Sequence, residues 1–317
     1  PVEATSELSL EALRGFLLDP AAQFLRQRLH LRLPRLEGLG EDLEPLQAPE
    51  RGLERMQLQQ AVFDARLRGH GEAAMQASLR ARGLLPSGPP GRRALAAVMA
   101  EVAPYVEAYT AWRGDAVGEP VPLEVVVDGV RLQGRIDPVF PRGIARLRFG
   151  TPNGRSTVRN GLDWLLACAA GLPHPFEEFH QDEDRGVGPH RRELLSPQAA
   201  IEGLRTLLAL REQGLCAPLP LAPYSSWALF EKREEPAKAL AAAVGKWRGN
   251  GHGGWAEGQG EALCVALRGR DPFADRDSMR EFARLAGIVF GILHTGAPVH
   301  IDIDALPLPD DDSEGVA

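Results

Sequence analysis

The segment 132–150, LQGRIDPVFPRGIARLRFG, puts Asp137 at the end of one β-type run and Arg146-Leu147-Arg148 on the next, 144–149. An aspartate closing one strand, with an acid, a spacer and a lysine on the neighbouring strand, is the side-chain set of a metal-dependent phosphodiesterase. Its carboxylates hold Mg²⁺ on oxygen ligands, and its lysine orients or activates water. Here the first acid stands, and arginines occupy the other two positions. They bring positive charge to where the metal belongs, and a guanidinium keeps its proton and cannot act as a base. Asp137 also precedes Pro138, which restricts its backbone, so it reads equally as a strand-end turn residue. The expectation is a vestigial Asp137 with Arg146 and Arg148 replacing acid and lysine, hence no catalytic residue, no metal and no other cofactor. An active enzyme would need a displaced acid, Glu124 or Asp163, and a lysine. The only lysines, Lys232, Lys238 and Lys246, lie far downstream.

Other constellations are weaker. His300, Asp302 and Asp304 of HIDID would share one face of a strand and could ligate a metal, but the alternation reads first as a solvated edge strand. GNGHGGWAEGQG (249–260) lacks the Gly-Lys-Ser/Thr that a phosphate cradle needs at a strand-to-helix junction, and reads as a mobile loop. His174, His180 and His190 with Asp182, Glu183 and Asp184 match no zinc spacing and read as a solvated loop. Ser225-Ser226 lacks the Gly-x-Ser-x-Gly elbow of acyl transfer. Tyr224, Trp227, Trp247 and Trp255 fall in one third of the chain. Aromatics among cations can stack on unpaired bases, but core or interface packing is the first reading.

The elements that would position these residues follow from patterning. Ser9 caps a helical run of Leu10, Leu13, Phe16 and Leu17, and Asp19-Pro20 ends it and opens another carrying Phe24, Leu25 and Leu29. A loop containing Pro34, Gly38, Gly40 and Pro45 follows. Helices are predicted at 52–68, 70–82 and 92–112, with a break at 86–91. From residue 121 the pattern turns to β. Leu123 to Val127 and Val130 to Ile136, joined by Asp128-Gly129, form a hairpin. Helices return at 160–170 and 197–214. This order divides the chain into a helical section (1–115), an α/β core (116–305) and an acidic, disordered tail (306–317).

The 317 residues, 44% hydrophobic and 25% charged, describe a globular chain without an 18-residue apolar run, so no membrane is involved. Three well-separated cysteines, Cys168, Cys216 and Cys264, read as buried free thiols in a reducing cytoplasm. An opening Pro1 without a signal peptide fits a piece of a longer polypeptide. The net charge of −7 argues against bulk attraction to nucleic acid. The charge is uneven, however: Arg131, Arg135, Arg142, Arg146, Arg148, Arg155 and Arg159 face a single acid, Asp137, between residues 131 and 159. A basic DNA-contacting face on an acidic body is the expectation.

LSLEALRGFLLDPAAQFLRQRLHLRL (8–33), EDLEPL (41–46), GLERMQLQQ (52–60), RARGLLPSGPPG (80–91), GLDWLLACAAG (161–171) and GLCAPLPLAP (214–223) carry, in order and spacing, a resemblance that extends to about residue 295. The chain resembles the C-terminal domain of RecC, the gamma subunit of exodeoxyribonuclease V, the RecBCD helicase–nuclease. The resemblance implies a PD-(D/E)xK nuclease-like core, a central mixed sheet flanked by helices, that lacks its active site, with the catalytic copy in RecB. Asp137 would hold the first acidic position, Arg146 and Arg148 the second acid and the lysine, and Asn160 a place near the glutamine of the following helix. The implied role is to hold RecB and RecD, receive a duplex or forked DNA end, and present a pin that splits the strands. The hairpin of 123–137, the polar stretch after Pro173 and the glycine-rich loop are the alternatives for that pin.

Overall fold

The computed structural model describes residues 6–33, 48–50, 52–249, 255–304, 306 and 308. The loop expected around Pro34 to Pro45, residues 250–254 of the glycine-rich stretch and nearly all of the acidic tail lie outside the described residues. The chain enters through a short strand, β1 (Glu7–Ser9), and two helices, α1 (Leu10–Leu18) and α2 (Pro20–Arg28). Ser9 accepts from the Ala12 N–H and Asp19 from the Ala22 N–H, so both expected caps form. Three further helices, α3 (Gly52–Leu67), α4 (Glu72–Ala81) and α5 (Gly88–Arg113), share a core of their own around Leu58, Val62, Leu79, Leu95 and Val98. The run 86–91 is not a full break. α5 starts inside it, because Pro89 and Pro90 occupy a first turn whose N–H groups have no intrahelical acceptor to lose.

The sheet begins with β2 (Glu119–Val127) and β3 (Val130–Phe140), an antiparallel hairpin in which Val127 faces Val130. Asp128 and Gly129 both have positive φ, 48° and 83°, the backbone that a two-residue hairpin turn demands. β3 does not end at Asp137 as expected. It continues through a cis Asp137–Pro138 peptide to Phe140, because Val139 and Phe140 pair with β4 (Gly143–Leu147) while burying their side chains. Asp137 is therefore a strand residue. A crossover helix, α6 (Gly154–Ala169), leads to β5 (Phe176–Phe179), parallel to β4. α6 starts six residues before the predicted 160, since Asn153 and Ser156 form a capping box.

The His/Asp-rich stretch is more than a solvated loop. Phe176 and Phe179 are buried in β5, Asp182 accepts from the Asp184 and Arg185 N–H groups, and β6 (Gln181–Asp182), β7 (Gly186–Val187) and β8 (His190–Arg192) follow. The main sheet runs β1-β3-β4-β5-β8, with β2 on the other edge of β3 and β1 parallel to it.

Successive residues on a strand face opposite sides. Ile144 and Phe176 join one core with α1, α2 and α6, whereas Ala145 and Phe179 pack with Trp112 at the end of α5. The large core is completed by α7 (Pro197–Cys216), α8 (Pro223–Glu231), α9 (Pro236–Arg248), α10 (Glu261–Leu267) and α11 (Arg276–Thr295). The result is a mixed sheet with helices on both faces.

Two further expectations are corrected. HIDID forms no strand. Val299 donates from its N–H to Gly287 of α11, and Ile301 and Ile303 are buried while Asp302 and Asp304 stay exposed, so an extended segment lying on a helix satisfies the alternation without a ladder. Of the cysteines only Cys168 is buried; Cys216, last residue of α7, and Cys264 are exposed. Among the described residues no helix is long and apolar enough to cross a membrane.

Candidate functional site

The polar centre of the molecule lies between the sheet and α6. β4 and β5 put Arg146 directly beside Glu178, on the strand face that carries Ile144 and Phe176. α6 lowers Asp163 and Asn160 onto them. Asp163 is 7% exposed and accepts from Arg14 Nη2 at 2.5 Å, from Arg146 Nη2 at 2.7 Å and from Arg146 Nε at 2.8 Å. Glu178 accepts from Asn160 Nδ2 at 2.7 Å and from Arg192 Nε at 2.5 Å. Arg192 spends a further N–H on the Leu293 carbonyl at 2.6 Å and lies over the Trp164 ring, 5.2 Å from its centroid. Buried charges on this scale persist only when each is paired and hydrogen-bonded. Arg14 and Arg146 with Asp163, and Arg192 with Glu178, meet that condition.

Ionisation follows the same balance. Burial by itself would push the Glu178 carboxyl up, but the Arg192 guanidinium and the hydrogen bonds from Arg192 and Asn160 together hold it below the ordinary glutamate range. Burial lowers His180 and His294, and for His294 the Arg192 charge adds to the effect. The two imidazoles line a small cavity of about 120 Å³ together with Arg148, Asn160, Glu178 and Arg192.

The residues singled out by type and spacing are only partly brought together. Asp137 is half exposed and bonds Arg135 at 2.6 Å, on the strand face opposite the buried Ile136. Its carboxylate is thus on the other side of the strand from Asp163 and Glu178. Glu124 lies beside Arg131 at 3.5 Å and accepts from Gln133. Among the described residues no three His, Cys, Asp or Glu side chains are placed to hold a metal. Asp163 and Glu178 are already bound by guanidinium groups, so this donor set does not fit a divalent cation.

The seven arginines divide. Arg131 lies between Glu7 and Glu124, Arg135 bonds Asp137, Arg146 bonds Asp163, and Arg142 donates to the Trp112 carbonyl at 2.7 Å. Arg148 reaches only the Met56 sulfur at 3.3 Å and the Thr151 carbonyl at 3.4 Å. Among the described residues Arg148, Arg155 and Arg159 form no ion pair with a carboxylate, although the buried Glu257 is within electrostatic reach of Arg155. Arg14, Glu178, Arg192 and His294 do not stand out in the sequence. A polar residue entering a buried cluster from a distant element has no local signature, although Asp163 within an otherwise apolar helix face was the one visible clue.

Fold and site define a mixed α/β domain whose sheet-to-helix polar centre is built from arginine–carboxylate pairs. The chain belongs to the RecC C-terminal domain family, whose model matches residues 5–234. It is similar to the RecBCD enzyme subunit RecC of Mycolicibacterium smegmatis, 29% identical over 245 residues that cover 74% of this chain and 21% of the relative. It is likewise similar to the RecBCD enzyme subunit RecC of Escherichia coli, 25% identical over 228 residues, with 72% and 20% covered. The chain thus spans about one fifth of the length of these relatives. The family match stops at residue 234, short of the 295 expected, so α9 to α11 lie beyond it.

Proposed function

We propose that this chain works in the cytoplasm as a non-catalytic PD-(D/E)xK nuclease-like module of a RecBCD-type helicase–nuclease. It scaffolds the RecB and RecD subunits and helps to split or guide duplex DNA ends during double-strand-break repair and recombination. The succession β2–β3–β4–α6–β5, an antiparallel meander followed by a helical crossover to a parallel strand, supports the nuclease-like reading. The observation that carries the loss of catalysis is the engagement of Asp163 and Glu178 by Arg14, Arg146 and Arg192. Guanidinium groups take the place of a metal as the counter-charge, and they supply neither an open coordination position nor a base. Arg131, Arg135, Arg142, Arg146, Arg148, Arg155 and Arg159 are the proposed DNA-contacting set, with those lacking a carboxylate carrying most of the phosphate contact. The division at residues 115 and 305 is part of the same proposal, and limited proteolysis tests it.

The test is nuclease activity of the chain on linear duplex and forked DNA with Mg²⁺ or Mn²⁺, beside Asp137→Ala. Neither protein is expected to cleave. Metal-dependent cleavage that disappears in Asp137→Ala would overturn the proposal. A pure protein-interaction role is favoured by the capture of Arg131, Arg135 and Arg146 by nearby acids. Tight partner binding without any salt-sensitive DNA binding would select that role.

A further inference from the structure

The rim where α6 and α8 begin is not used by the buried centre. Trp255 is 65% exposed there, whereas Trp112, Trp164, Trp227 and Trp247 are all buried. The exposed ring is nonetheless held in place. Glu257, two residues on and buried, accepts from the Tyr224 N–H at 3.0 Å and from the Ser225 N–H and hydroxyl, both at 2.7 Å. These bonds tie the 3₁₀ turn Glu257–Gln259 to the first turn of α8. The Tyr224 and Trp255 rings meet edge to face, with centroids 5.2 Å apart and planes at 80°.

α6 starts against the same place. Gly154 lies so close to α8 that a Cβ atom there would be 1.8 Å from the Pro223 carbonyl oxygen, so only glycine allows this approach. It sets Arg155, in the first turn of α6, beside the aromatic pair, with Arg159 one turn further along the helix. Arg155 shares a shallow cavity of 150 Å³ with Tyr224 and Trp255. Arg148 is within electrostatic reach of both Tyr224 and Arg159. Of the acids at this cavity, Asp19 caps α2 and Glu257 caps α8, which leaves Glu261.

We propose that Tyr224 and Trp255 form a stacking platform for an unpaired base of single-stranded DNA, with Arg148, Arg155 and Arg159 taking the flanking phosphates. The inference rests on the reading of the chain as a DNA-handling module and locates where an opened strand would lie. Every base offers a π-face, so such a platform tolerates any sequence, and the neighbouring cations hold the backbone. An exposed indole beside Arg155, with Arg148 and Arg159 on the same rim and none of the three in an ion pair with a carboxylate among the described residues, is complementary to a base and its phosphates. An apolar protein surface would leave those cations unmatched.

The experiment titrates the full chain with an oligothymidylate of about 12 nucleotides and with a blunt duplex, reading tryptophan fluorescence and anisotropy. The oligothymidylate is expected to quench the wild-type signal, and the quench to vanish in Trp255→Phe with affinity largely kept. Trp255→Ala should weaken single-strand binding about tenfold and leave duplex binding unchanged. The double variant Arg155→Ala/Arg159→Ala should weaken both. If Trp255→Ala binds the single strand like wild type, or loses duplex binding equally, the platform falls while the DNA-handling reading stands. Failure of the folded wild-type chain to bind either DNA overturns both.

Discussion

The middle and the start of α6 treat arginine in opposite ways. Near its middle, Asp163 draws Arg14 and Arg146 into a pocket where both guanidinium groups are largely enclosed, and Arg192 is fixed across the strand by Glu178, the Leu293 carbonyl and two aromatic rings. At its start, Arg155 lies beside an open indole and Arg159 follows one turn on, and among the described residues neither is in an ion pair with a carboxylate. The difference teaches that a basic stretch of sequence is not one electrostatic feature. Arg146, in β4, and Arg148, just past its end, are two residues apart, yet one charge is cancelled inside the protein and the other forms no ion pair among the described residues. The enclosed arginines also explain how two carboxylates can persist in the interior. A guanidinium is a permanent cation with fixed donors, and it satisfies buried carboxylates without exchange with solvent.

The contrast can be broken by substitution. The largest effect is expected from Asp163→Ala, which strands two enclosed guanidinium groups and should cost about 3–5 kcal/mol in urea-unfolding stability. A loss under about 1 kcal/mol would mean that the pocket is not the closed structural unit its geometry indicates. Glu178→Gln should cost about 1.5–3 kcal/mol, since it weakens charge-assisted bonds from Arg192.

Acid titration sharpens the same contrast. The folded Glu178 carboxyl lies below its unfolded value, so its stabilisation is fully present above about pH 4.3 and drains as pH falls further. The acid limb of the stability curve should flatten in Glu178→Gln. His294 also lies below its ordinary value, so the unfolded chain takes up that proton first and stability should begin to fall below about pH 6.5, an effect reduced in His294→Gln to the part that the likewise lowered His180 contributes.

At the open end, Arg155→Ala/Arg159→Ala should leave stability within about 0.5 kcal/mol while lowering the salt slope of duplex binding by about 1.8. Smallest of all is Arg135→Ala, whose exposed pair with Asp137 should be worth under about 1 kcal/mol by thermal unfolding.

What the sequence reveals is what is local. The caps at Ser9 and Asp19 and the Asp128-Gly129 turn are decided within four residues, and each stands where expected. The buried centre is decided elsewhere. Arg14 and Asp163 are 149 positions apart, and Arg192 and Leu293 101 apart, and nothing in the periodicity of either segment announces the meeting. HIDID shows a second limit: alternation records burial on one side, and a helix surface can supply that burial as well as a neighbouring strand. Trp255 shows a third. Glycine-rich surroundings suggested a loop, but the anchoring of its turn depends on a glutamate buried under the start of a different helix.

α6 has a mechanical consequence of its own. Twelve of its sixteen residues are buried, so it has almost no free surface about which to roll. It is bolted to the sheet by Asp163 at one point, and pressed against α8 at Gly154 at another. A pull on Arg155 or Arg159 would therefore not be absorbed by bending a side element. It would pass along a clamped beam into the strands β4 and β5, making the open rim a stiff anvil rather than a yielding hook.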